Sequence, residues 1–285
     1  MIKIVTDSSA HLPETLVRQY DIHVIPLKVV FGQTAYREGV DLTHEEFYRM
    51  LGQVRELPTT TQPSAGEFFE LYSVLAQAGH DIISIHLSSK LSGTVSSANT
   101  AKEMLPGARI TVVDTPWISL ALGMLVLEAA RAVEAGRSYQ EVLARVEELM
   151  PKMNLIFVVD TLEYLQKGGR IGGAAALLGT LLNIKPILHL VDGRIEPLDR
   201  VRTKRAAVRR LLEQVAERVS PGAPVHIAVL HAQAVEEAQQ LETEVQARFN
   251  CRELYLAEIG PVVGTHTGPG TVGLVFYVEG RLPLA

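Results

Sequence analysis

A single cysteine, Cys251, is the first scarcity in this 285-residue chain. It excludes an intrachain disulfide and any zinc site built on paired thiolates, and it fits a reducing compartment. Positive charge is also short: the formal net charge is −5 and the isoelectric point is near 6.0. A protein that coats nucleic acid through bulk charge is thereby disfavoured. Long apolar runs are missing, because the uncharged stretches Thr115–Leu127 and Ile171–Ile184 fall short of the ~20 residues that span a bilayer. The opening MIKIVTDSS has neither an apolar signal core nor a small-residue cleavage site. No G-x-x-x-x-G-K-[ST] loop, no G-x-S-x-G elbow and no H-E-x-x-H pair occurs, and the histidines are scattered, so no metal site is expected. These absences lead to the expectation of a soluble, cytoplasmic protein.

What is present is apolar enough for a sizeable core: 47% of residues are hydrophobic and 21% charged. The first half alternates strand and helix signals. Strands are predicted at Ile2–Val5, His23–Phe31, Asp81–Leu87 and Ile110–Val113. Helices are predicted at Pro13–Tyr20, Glu45–Leu51, Ser64–Gln77, Thr94–Met104, Leu120–Ala135 and Tyr139–Met150, with Thr59–Pro63 as a loop. Ser64 followed by Glu67 is a capping box. Such alternation implies an α/β fold with a mainly parallel sheet covered on both faces. The second half reads as a mixed sheet. It has strands at Leu155–Asp160, Val225–His231, Glu253–Ile259 and Val272–Val278, a short helix Leu162–Lys167, and helices Thr203–Val219 and Ala234–Phe249. A hairpin, Lys185–Val191 to Arg194–Arg202, turns on Asp192-Gly193. The domain boundary is placed near Pro151, giving domains 1–151 and 152–285.

Three first-half strands end in polar clusters: Thr6-Asp7-Ser8-Ser9, Ser88-Ser89 and Asp114-Thr115. Ligands of open α/β sheets sit beyond the carboxyl ends of strands, where helix N-termini attract anions. The Ser92-Gly93-Thr94 segment has the same character. Two readings fit these hydroxyls, helix caps and turn formers or ligand donors. As donors they suit a carboxylate better than a phosphate, which would draw arginine or lysine forks.

The Gly260–Gly270 segment is read as a loop of tight turns with backbone exposed to a ligand. Its Gly268, Gly270 and Gly273 match G-x-G-x-x-G formally, but they precede a strand rather than a helix, so a dinucleotide site is rejected. His266 is either an exposed turn histidine or an ionisable functional group. Arg170, after Gly168-Gly169, either suits a helix end or faces an anion. The basic cluster Arg200, Arg202, Lys204, Arg205, Arg209 and Arg210 is a solvated helix face, a dock for an acidic partner or a nucleic-acid contact. Ala174–Leu182 is plain core or the wall of an acyl-chain cavity. A serine hydrolase or acyltransferase with Ser92 as nucleophile and His266 as base is a further alternative, though it lacks an elbow and an orienting acid.

Together these segments resemble the DegV family, the bacterial fatty-acid-binding proteins that serve a separate fatty acid kinase. The resemblance runs from Ile4 to about Val278. It is carried by Thr6-Asp7-Ser8-Ser9, Thr60-Thr61-Gln62-Pro63-Ser64, Leu91-Ser92-Gly93-Thr94, and Asp114-Thr115 with Ser119 and Gly123. It continues through Asp160–Leu165 with Gly168–Ile171, Asn183–Leu188, Arg202-Thr203 and the Gly260–Gly270 segment. Thr61 and Gln166 depart mildly from the family pattern. The resemblance implies a three-layer N-terminal α/β domain and a smaller C-terminal mixed α/β domain with a lipid tunnel. A long-chain fatty acid such as palmitate, stearate or oleate would lie there with its carboxylate near the domain junction. Thr60 and Ser92 would bind that carboxylate, with Thr61, Gly93, Thr94 and Asp114 in supporting loops. Arg170 and His266 would lie near it and assist the phosphoryl step, and Arg202 would engage the kinase. No cofactor, no nucleic-acid partner and no catalytic residue of the chain's own is implied. The acyl phosphate would pass to phospholipid synthesis.

Overall fold

The computed structural model describes residues 1–179 and 184–278. The chain divides into two compact units, the first of Met1–Thr43 with Pro58–Met150 and the second of His44–Leu57 with the described residues from Pro151 onward.

The first unit is an α/β layer structure. In chain order it carries β1 (Ile2–Asp7), α1 (Glu14–Gln19), β2 (His23–Ile25), β3 (Lys28–Phe31) and β4 (Thr34–Arg37). After α2 (His44–Leu51), which belongs to the second unit, come β5 (Thr59–Thr61), α3 (Ala65–Gln77), β6 (Asp81–His86), α4 (Thr94–Glu103), β7 (Ile110–Asp114), α5 (Leu120–Glu134) and α6 (Tyr139–Leu149). The main sheet runs β2-β1-β6-β7 and is wholly parallel. Side chains alternate across it. Val5, Ile82 and Ile110 pack with Phe68, Tyr72 and Leu75 of α3 and Ala98 and Ala101 of α4. Ile4 and Ile83 face the other side, where α5, buried along most of its length, contacts β1 and β6. The expected capping box on α3 is present, and α6 has a second one from Ser138 and Glu141.

Two expectations change here. His23–Phe31 is not one strand. Pro26 lacks a ladder donor, and the chain breaks there, leaving β2 in the parallel sheet and β3 in a small antiparallel sheet β4-β3-β5. Thr59–Thr61 is not loop but β5, with Thr60 opposite Val29. Its β-branched threonines suit a strand, yet three residues take that state only because β3 is there to pair with.

The second unit holds α2 and then β8 (Asn154–Val158), α7 (Glu163–Lys167), β9 (Lys185–Val191), β10 (Arg194–Val201), α8 (Lys204–Arg218), β11 (Pro224–His231), α9 (Val235–Arg248), β12 (Asn250–Glu258), α10 (Pro261–Thr267) and β13 (Val272–Val278). The six-stranded sheet β10-β9-β8-β13-β11-β12 is antiparallel except at β11–β12. Asp192 and Gly193 both have positive φ, as a two-residue type I′ turn requires. Leu211, Leu212 and Val215 of α8 and Leu241 and Val245 of α9 are buried against Ile156, Ile187, Ile227, Val229 and Leu274. Residues 44–57, read from sequence as part of the N-terminal domain, cluster with this unit. Phe47, Tyr48 and Leu51 are buried, and the Tyr48 hydroxyl donates to the Ile259 carbonyl at 2.8 Å.

The Gly260–Gly270 segment is not a run of turns. It forms helix α10, opened by Pro261 at its first turn and closed by Gly268 at φ 74°. Proline at a helix start and glycine after its end are helix signals, which the density of glycines masks. Gly264 serves a close approach: a Cβ there would stand 2.7 Å from the Tyr48 hydroxyl of α2. Of the apolar stretch, Gly172–Leu177 is a 3-10 turn with Ala174 fully buried, and Leu178 is exposed. Thr180, Leu181, Leu182 and Asn183 lie outside the described residues.

Candidate functional site

The parallel order of β1, β6 and β7 puts the three polar clusters on one sheet edge. Asp7 organises them. Fully buried, its carboxylate accepts from Ser9 N at 3.1 Å, Ser9 Oγ at 2.5 Å, Leu87 N at 3.1 Å and His86 Nδ1 at 2.9 Å. Thr115 Oγ1 donates to the His86 carbonyl at 2.9 Å, and exposed Asp114 accepts from Ser89 N at 2.9 Å and Ser89 Oγ at 2.5 Å. Beyond β6 the chain folds back, with Ser92 N donating to the Ser88 carbonyl at 3.1 Å. Ser92 Oγ and Thr94 Oγ1 then lie 2.9 Å apart at the start of α4.

Gly93 has a specific reason. A Cβ on it would stand 2.7 Å from the Gln62 amide nitrogen, so Gln62 lies directly on its Cα. That contact brings the Thr60-Thr61-Gln62 end of β5 beside Ser92-Gly93-Thr94. Thr60 and Ser92 are half-buried, Thr61 is exposed and Thr94 is buried. Within the first unit the predicted carboxylate residues therefore share one neighbourhood. Gln62 and His86 were not among the predicted site residues. A histidine ending the apolar run Ile82–His86 was the signal for the latter.

In the second unit two further motifs meet. The His266 imidazole on α10 lies against Gly168, where a Cβ would stand 2.1 Å from Nδ1. A Cβ on Gly268 would stand 2.4 Å from the Tyr164 ring. Gly169, at φ 71°, turns the chain so that Arg170 Nη1 donates to the Gly168 carbonyl at 2.7 Å. Burial, with the Arg170 charge nearby, lowers the His266 pKa from 6.5 to about 4. His266 is thus an enclosed, neutral imidazole at pH 7 and not an exposed turn residue.

Asp160 ties the far end of the same segment. It accepts from Lys185 Nζ at 3.1 Å and Lys204 Nζ at 3.0 Å, and Lys204 also donates to the Gly270 carbonyl. Burial alone would raise the Asp160 carboxyl, but the two lysines hold it below its usual value. Two residues from Lys204, Arg202 is exposed. Much of the surrounding basic cluster is answered by acids, for Arg210 reaches Asp199 at 2.7 Å and Glu217 at 2.6 Å. Among the described residues no group of three or more His, Cys, Asp or Glu side chains could hold a metal ion. No described helix is long and apolar enough to cross a membrane.

The depressed His266 value carries a sign. The unfolded chain binds the proton first, so this contribution to stability is whole above about pH 6.5 and is lost as pH falls through about 4. The displacement corresponds to on the order of 3 kcal/mol. Acidification from pH 7.5 to 4.5 should lower the melting temperature, and His266→Gln should flatten that slope. Burial also lowers His23, His189 and His231, so a smaller slope should persist in the variant.

Comparison with known proteins adds a family. The sequence profile described as an uncharacterised protein of the DegV family matches residues 1–279. A DegV domain-containing protein of Halalkalibacterium halodurans is 41% identical, with 98% of this chain and 99% of that one covered. Among solved structures, a DegV family protein from Thermus thermophilus, reported as fatty-acid binding, superposes with a TM-score of 0.91 at 38% identity, covering 97% of this chain and 99% of that one. The structure of DegV from Bacillus subtilis, described as a fatty acid binding protein, gives a TM-score of 0.87 at 39% identity, covering 98% and 99%.

Proposed function

The chain belongs to the DegV family, and from that premise we propose that it binds one long-chain fatty acid and presents its carboxylate to a separate ATP-dependent kinase. The observation that carries the reading is the likeness, over nearly the whole chain, to solved proteins reported to bind fatty acids. Thr60 and Ser92 hold the carboxylate, with Thr61, Gly93, Thr94 and Asp114 shaping their loops. Arg170 and His266 serve the phosphoryl step, and exposed Arg202 serves kinase docking. Burying each CH₂ contributes about 0.8 kcal/mol, so an acyl chain of roughly 16 carbons gains on the order of 10 kcal/mol before ordering costs. Affinity then comes from the tail and orientation from the head. Hydroxyl ligands leave the carboxylate more nucleophilic than a guanidinium fork would. The kinase transfers a phosphoryl group to it, and the resulting acyl phosphate enters phospholipid synthesis.

The rival hydrolase reading needs His266 as a general base. A group with a pKa of about 4 has little proton affinity at neutral pH, and nothing in the comparisons supports that chemistry.

Delipidated protein should take up one palmitate, stearate or oleate per chain by calorimetry. Shortening the acid by two CH₂ should weaken binding about tenfold. Ser92→Ala and Thr60→Ala should each weaken it while far-UV dichroism stays unchanged. Affinity independent of chain length, or no uptake at all, would count against the proposal.

A further inference from the structure

Asp7 is the end of a buried hydrogen-bond chain. The Tyr72 hydroxyl donates to Ser84 Oγ at 2.7 Å, Ser84 Oγ lies 2.7 Å from His86 Nε2, and His86 Nδ1 lies 2.9 Å from Asp7 Oδ2. All four side chains are fully buried, and Phe68 packs edge-on against the imidazole. The Asp7 carboxylate fixes the direction, because it can only accept. Burial raises the Tyr72 phenol, so it stays a donor. The ring proton that faces Asp7 therefore sits on Nδ1, which leaves Nε2 to accept from the Ser84 hydroxyl.

The order serine, histidine, aspartate imitates a nucleophilic triad, but no acyl group can reach a serine with no exposed surface. The chain's outlet is structural. Asp7 passes the alignment on by holding Leu87 N and Ser9 N. Ser88 follows directly, and its carbonyl accepts from Leu91 N at 2.9 Å and Ser92 N at 3.1 Å. The turn that carries Ser92 is therefore seated on the Asp7 carboxylate, whose direction is set by His86.

We propose that Asp7 and His86 are positioning residues that set the Ser92 hydroxyl for the ligand's carboxylate. This rests on the fatty-acid reading above and deepens it. Asp7→Asn turns one acceptor oxygen into a donor facing donors, and Ser84→Ala removes the partner of Nε2 from the far side.

The test is a double-mutant cycle on oleate affinity, measured by calorimetry with delipidated full-length protein below the melting temperature of every variant. Asp7→Asn should weaken binding about tenfold in the native background and less than twofold beside Ser92→Ala, because its effect runs through Ser92. Ser84→Ala should show the same coupling with a loss of about threefold, and it decides the matter if Asp7→Asn does not fold. Equal losses with and without Ser92, or no loss for either variant, would overturn the inference. If Ser92→Ala itself binds oleate like the native chain, the assignment of Ser92 to the carboxylate fails first, and the inference falls with it.

Discussion

With His266 serving the phosphoryl step as proposed, Gly168→Ala should cut kinase-dependent phosphorylation of the bound fatty acid in a chain that still folds and still binds it. The backbone at Gly168 is right-handed, with φ −75°, so alanine brings no dihedral strain. The new methyl would stand 2.1 Å from His266 Nδ1 and 2.9 Å from Cε1. The ring must leave its seat. Overpacking of this kind costs about 1–3 kcal/mol, and misplacing a functional group by an ångström can cost about a hundredfold. The neighbouring Gly169→Ala is the control, because its φ is 71° and nothing lies within 4 Å of the added methyl. It should cost about 1–2 kcal/mol of stability through left-handed strain and leave phosphorylation of the bound fatty acid nearly unchanged. Kinase assays and thermal melts on both variants separate the cases. Native-like phosphorylation by Gly168→Ala would remove His266 from the proposed phosphoryl step.

Asp7→Ala should be the most destabilising of the polar substitutions considered. The change strands four donors: Ser9 N, Ser9 Oγ, Leu87 N and His86 Nδ1. Leaving a buried donor without an acceptor costs about 1–3 kcal/mol, and with several stranded at once the melting temperature should fall by roughly 10 °C or more. Asp41 offers the contrast. Arg37 holds its carboxyl at about 2, yet both partners are exposed, and Asp41→Ala should leave the melt almost unmoved.

Local signals made much of the architecture readable. Serine followed three residues on by glutamate marks the start of α3, Asp192-Gly193 marks the hairpin, and the strand–helix alternation announces the parallel sheet. The misreadings differ in cause. Residues 59–61 become a strand only because they pair with β3, which lies beyond any short window, whereas residues 34–37 close a hairpin on β3 across Gly32-Gln33. Pro26 was a local signal outweighed by the Val and Ile around it. In α10 the glycines looked like turns, whereas Gly264 and Gly268 make room for Tyr48 and Tyr164. The site was legible as motifs but not as neighbourhoods. Gln62 meets Gly93, and Asp7 meets His86, across separations in sequence that only the sheet closes.

The excursion of His44–Leu57 into the second unit has an evolutionary cost. The second unit is completed by chain that the first unit's sequence encloses, so a gene cut at codon 151 would not deliver two self-sufficient modules. The downstream piece would lack Phe47 and Tyr48, which cover Gly264 of α10. The upstream piece would carry an amphipathic helix with its greasy stripe bare. Shuffling either half into a new context is therefore penalised, and the two are bound to be inherited as a single cassette.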